Sequence, residues 1–182
     1  VTIRQGFTEW ADEPVGDGTS SFRNSGCLVC CIREAALLLV PGETDADPRI
    51  TNERGRKAGA FVKSMAIIDK LAAAEGIEAG PRIEGFSVMR AVIMRAILSK
   101  ELVLLHVDHN AARPHGDEAP DHFVLAIMVS ENGITFTDPA TGKTGVLSVA
   151  TLEGPSGWKD GRHYKVKAVR VLKRMKPPVA PT

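Results

Sequence analysis

Three cysteines fall within five residues, in the stretch Ser25-Gly26-Cys27-Leu28-Val29-Cys30-Cys31, just ahead of an apolar run that ends in Leu37-Leu38-Leu39. The spacing predicts a helix over residues 27–40 with Cys27 at its start. Ser25 or Asn24 is expected to cap it, and Gly26 to allow a tight turn into it. A thiol in that position feels the positive end of the helix dipole, which favours the nucleophilic thiolate. Two other readings accompany this one. Free cysteines are often small core residues, and all three sit in an apolar segment. Cys27-x-x-Cys30, with His106 and His109, also has a zinc-like spacing, although no second Cys-x-x-Cys follows.

A cysteine nucleophile needs a base, a group that fixes the base, and donors for a developing oxyanion. Of the five histidines, His106, His109, His115, His122 and His163, the best placed is His122. It opens a strand directly after a long polar loop, so its side chain projects from a rigid element at a sheet edge. Asp138 closes the next strand, before Pro139. Glu131-Asn132-Gly133 between the two strands is a hairpin signal, which brings His122 and Asp138 to the same end of a sheet. Asp138-Pro139 also reads as a simple turn initiator. For the oxyanion, the backbone N–H of Cys27 is one donor. Gln5, in the irregular segment before the helix, is an available side-chain amide, though from its surroundings it also reads as an exposed polar residue.

The elements that must position these residues follow from pattern. Residues 1–24 carry Gly6, Pro14, Gly16, Gly18 and Thr19-Ser20-Ser21, all loop signals, with Trp10 expected to pack on the core. Residues 43–56 read as a polar surface loop. Residues 58–75 read as a second helix, with Phe61, Met65, Ile68 and Leu71 inward and Gly76 closing it. Residues 77–84 form a connector or short strand. Ser87 is expected to cap a helix over 88–99 with Met89, Val92, Ile93, Ala96 and Ile97 inward. Residues 101–108 read as a buried strand, 109–121 as a long polar loop, and 122–129 and 133–139 as paired strands. Short strands are expected over 142–147 and 163–172. Helices followed by an antiparallel sheet make an α+β domain. One domain is expected over residues 1–173, with a Pro-rich linker or tail over 174–182 leading to a further module.

Composition narrows the function classes. The chain has 182 residues and a formal net charge of +1, which gives no reason to expect nucleic acid or an acidic membrane as partner. No apolar run approaches the ~20 residues of a membrane helix, and no secretory signal is visible. A soluble protein without a bound cofactor is expected. Three clustered cysteines are too few and too close to build a disulfide framework.

At this point several blocks resemble one family. Gln5-Gly6-Phe7-Thr8-Glu9-Trp10-Ala11, Gly16, Thr19 and Ser25-Gly26-Cys27, then Asp121-His122-Phe123-Val124-Leu125 and Thr137-Asp138-Pro139-Ala140-Thr141-Gly142, are similar to the C39-like cysteine peptidases of bacteria and phages. The resemblance runs from residue 5 to residue 145. It implies a papain-like fold, with Cys27 as nucleophile, His122 as general base and acid, Asp138 as its orienter and Gln5 as side-chain oxyanion donor. It implies a thiol protease, with the peptide cross-links of peptidoglycan as substrate and cell-wall degradation, as by a phage endolysin, as the activity. A protein-processing peptidase and a non-catalytic peptide- or cell-wall-binding domain are the alternatives. One departure from the family pattern, thiols at Cys30 and Cys31, raises a disulfide with a modified Cys27.

Overall fold

The structure is a computed structural model that describes residues 2–108, 121–155 and 163–176. The chain folds helices first and sheet second, as the pattern predicts. A single turn, α1 (Phe22–Ser25), leads through Gly26 into α2 (Cys27–Leu39). Residues 28–36 of α2 are all buried, so this helix is a central strut of the domain.

The next stretch departs from expectation. The polar segment is not a loop: Asp47 caps, and Pro48 starts, helix α3 (Pro48–Lys57). Its inner face is made of Thr51, Asn52 and Gly55, which dock by hydrogen bonds and close approach, so no apolar stripe marks it. The expected long second helix is broken in two. A small hairpin, β1 (Phe61–Val62) and β2 (Met65–Ala66), precedes α4 (Ile68–Ala74). Of the residues expected inward, Phe61 and Leu71 are buried, but Met65 lies exposed at the hairpin.

The remaining elements are β3 (Ile77–Ala79), α5 (Phe86–Leu98), β4 (Leu102–Asp108), β5 (Asp121–Ser130), β6 (Gly133–Asp138), β7 (Lys143–Leu147), β8 (Glu153–Pro155) and β9 (His163–Arg174). α5 starts after Gly85, not after Ser87, because Gly85 takes the positive φ of 86° at the entry. Seven strands form one antiparallel sheet in the order β3-β9-β4-β5-β6-β7, with β8 also paired to β9. β4 is buried on both faces. Leu102 and Leu104 pack toward α2, while Val103, Leu105 and Val107 pack toward α5. Each such aliphatic contributes about 1.5–3 kcal/mol by leaving water, and the two layers clamp β5 between α2 and α5. β9 reaches Arg174, one residue past the expected domain boundary. Residues 177–182 of the expected tail, and residues 109–120 of the expected loop 109–121 with His109 and His115, lie outside the described residues, while Asp121 already belongs to β5. Among the described residues no helix is long and apolar enough to cross a membrane.

Arg33 anchors the far half of α2. It is wholly buried, and its guanidinium reaches Glu75 at 2.9 Å, Glu43 at 2.5 Å and the carbonyl of Asp45 at 2.8 Å. Thr51 donates to Glu75 at 2.7 Å, and Arg54 bridges Glu43 and Glu75. These bonds tie α2, α3 and the end of α4 into one body.

Candidate active site

Cys27 is the first residue of α2 and is half-buried. Neither Ser25 nor Asn24 caps the helix. The N-cap is Gly26, without a side-chain cap bond, and Ser25 Oγ pairs instead with Ser20 Oγ. Gly26 is required by space and not by its dihedrals: a Cβ there would lie 2.6 Å from the carbonyl oxygen of Phe22 and 2.7 Å from its ring. No side-chain cap closes the first turn of α2, and the Leu28 amide turns to the Cys27 sulfur.

His122 sits near the start of β5 and Asp138 at the end of β6. What brings them together is a bulge. The hairpin register runs Ser130↔Gly133, Val129↔Ile134 and Met128↔Thr135, then slips by one to Ala126↔Phe136 and Leu125↔Thr137. Unslipped, Asp138 would fall beside Leu125, on the opposite face from His122. The slip sets it beside Val124, two residues along and on the same face, within diagonal reach. His122 Nε2 then donates to Asp138 Oδ1 at 2.8 Å, both side chains being almost fully buried. The remaining ring nitrogen, Nδ1, is left for the Cys27 thiol, which is hydrogen-bonded to His122.

The electrostatics agree with that geometry. Burial pushes the Cys27 thiol up, but the hydrogen bond and positive charge of His122, with backbone amides of Phe123 and Leu28, outweigh it and bring the thiol below its ordinary value. Burial likewise disfavours the imidazolium, yet Asp138 and Cys27 together raise His122 to about 9. Asp138 is held below the ordinary carboxyl value: burial opposes its charge, while His122, the Tyr164 hydroxyl and the Ala140 amide favour it. The arrangement thus favours a thiolate–imidazolium pair backed by a carboxylate.

Cys30 and Cys31 are different. Both are buried, and burial together with the nearby charge of Cys27 raises them well above the ordinary thiol value. The Cys31 thiol donates to the carbonyl of Phe123 at 3.4 Å. Among the described residues no group of three or more His, Cys, Asp or Glu side chains is arranged to hold a metal ion, and His109 of the zinc reading lies outside them. His106 lies apart, stacked on Phe123 and 3.1 Å from Arg82.

Gln5 is not exposed, as its surroundings in sequence suggested, but buried. Its backbone N–H donates to the carbonyl of Pro139 at 2.8 Å, and its Nε2 donates to the carbonyl of Arg23 at 2.7 Å. It therefore bridges the residue after Asp138 and the turn before Cys27. Its Oε1 is buried with no hydrogen-bond partner among the described residues, and its Nε2 carries a second hydrogen. Trp10 packs against the core as expected, with Nε1 donating to the carbonyl of Arg4.

Sequence reasoning missed Tyr164. Its hydroxyl donates to Asp138 Oδ2 at 2.8 Å, and its ring leans on His122 at a centroid distance of 5.9 Å. Asp138 Oδ1 also accepts from the Ala140 amide at 2.9 Å, and Oδ2 from Thr141 Oγ1 at 3.1 Å. The one available signal was that Tyr164 is the chain's single tyrosine, in a strand otherwise of aliphatic and basic residues. No profile of a known protein family matches the chain, and no curated protein sequence matches it.

Proposed function

We propose that this chain is a cysteine peptidase of papain-like fold, related to the C39-like peptidases. The observation that carries the reading is the row Cys27–His122–Asp138 at the start of a buried helix, with Cys27 the least buried of the three cysteines. The Cys27 thiolate attacks a peptide carbonyl. Charge on the carbonyl oxygen is met by the Cys27 N–H and by the Gln5 amide, which turns its second hydrogen to it. The His122 imidazolium protonates the leaving amine. Now neutral, it takes a proton from water, and the hydroxide releases the acyl group from the thioester. Asp138 holds the ring in the tautomer that presents Nδ1 to the sulfur and stabilises the imidazolium.

The substrate class we favour is the peptide of the bacterial cell wall. This rests on the similarity of the Gln5, Cys27, His122 and Asp138 blocks to the family. Purified peptidoglycan incubated with wild type and with Cys27→Ala, with products identified by mass, tests it. New amino termini are expected from the wild type alone. Equal release by both proteins rules out the thiol mechanism, and no release by either rules out this substrate.

A further inference from the structure

Cys30 takes no part in the proposed hydrolysis, yet it lies one turn from the nucleophile. In a helix, residues three apart have Cα atoms about 5 Å apart, inside the window a disulfide spans, roughly 4.4–6.8 Å. Only Cys27 of the two meets solvent, because Cys30 is fully buried. An oxidant from outside therefore reaches Cys27 first, and Cys30 is held as a thiol until then. Cys31 is four residues on, about 6 Å away by the same helix geometry, and its thiol is committed to the Phe123 carbonyl.

We propose that Cys27 and Cys30 form a peroxide-driven disulfide switch that reversibly closes the site. In the first step the Cys27 sulfur gives an electron pair to one oxygen of hydrogen peroxide and the O–O bond breaks. Cys27 becomes a sulfenic acid, and the departing hydroxide takes the proton of His122 to leave as water. In the second step the Cys30 sulfur attacks the Cys27 sulfur. The S–S bond forms, the S–O bond breaks, and the hydroxyl leaves with the Cys30 proton as a second water. Peroxide is reduced by two electrons and the two thiols are oxidised by two. A thiol reductant reverses the product by exchange. The switch rests on the reading of Cys27 as a reactive thiolate, and it protects that thiolate from irreversible over-oxidation.

The test needs no peptidase substrate. The native wild-type chain is treated with hydrogen peroxide, denatured, and its free thiols are alkylated with iodoacetamide. All three cysteines lie in one tryptic peptide, between Arg23 and Arg33. The expected product is that peptide with two hydrogens lost and a single label, on Cys31. Dithiothreitol before alkylation should restore all three labels. Cys31→Ala should still close the bond, whereas Cys30→Ser should carry Cys27 on to the sulfinic acid, beyond rescue by dithiothreitol. Three free thiols after peroxide, a sulfinic Cys27 as the main wild-type product, or a bond to Cys31 would each overturn the proposal. The wild-type mass alone decides the switch. Hydrolysis by the reduced protein is scored separately, so loss of one reading is not mistaken for loss of the other.

Discussion

Helix α2 carries buried charge at both ends of its buried stretch, and the two sites are built differently. Toward its C-terminus, Arg33 meets Glu75, Glu43 and the Asp45 carbonyl, and the partners are themselves held by Arg54 and Thr51. At its start, Cys27 meets His122, which meets Asp138. In the first site the cation is a guanidinium, which does not give up a proton in proteins, and every bond ties one element to another. In the second, both members of the ion pair are titratable, and Cys27 is only partly buried. Buried charge alone therefore does not mark a reactive site. What sets the second site apart is that its partners are titratable and Cys27 is only partly buried.

Breaking each end separately should give opposite phenotypes. The largest effect expected is at the start: Cys27→Ala should reduce hydrolysis to the level of the no-enzyme control while thermal unfolding stays near wild type. Arg33→Met should do the reverse. It leaves Glu75 without its buried partner, at a cost of about 3–5 kcal/mol of stability. Urea unfolding should record that loss, with activity per folded molecule unchanged.

The same contrast explains what was legible in the sequence. Cys27, His122 and Asp138 could be picked out because their positions in chain order, at a helix start and at two strand ends, set them at one edge. The register could not, because the one-residue slip between Ala126 and Met128 leaves no compositional mark. Helix α3 was hidden because Thr51, Asn52 and Gly55 dock through hydrogen bonds and close approach, and only Asp47-Pro48 signalled its start. The 58–75 segment misled because Phe61, Met65, Ile68 and Leu71 recur at near-helical spacing, while Lys63, at φ 58°, turns the chain into a hairpin. Tyr164 was invisible because a partner 26 residues from Asp138 depends on strand order, which no local pattern encodes.

Two smaller effects sharpen the comparison. Tyr164→Phe keeps the ring against His122 and removes one hydrogen bond to a charged group, worth about 1.5–3 kcal/mol. A roughly tenfold loss of turnover is expected on that scale. Asp138 is depressed in the folded state, so its stabilising contribution is present above its unfolded value and lost as pH falls through the folded one. The variant raises the folded value, so its acid limb, in activity and in unfolding, should move to higher pH.

His122 works in the opposite sense. Its folded value of about 9 lies above the ordinary 6.5. Its contribution is complete below 6.5 and is lost as pH rises through about 9. Wild type should therefore lose more stability across that window than His122→Gln, as read from urea midpoints.

The most direct test of the central claim is the pH dependence of Cys27 alkylation. Native wild type and His122→Ala are treated with iodoacetamide, and labelling of the tryptic peptide between Arg23 and Arg33 is followed by mass. A thiolate held by His122 predicts that labelling of wild-type Cys27 rises at lower pH than in the variant, which rises only through the ordinary thiol range. Superimposable profiles, both rising only in that alkaline range, would contradict it.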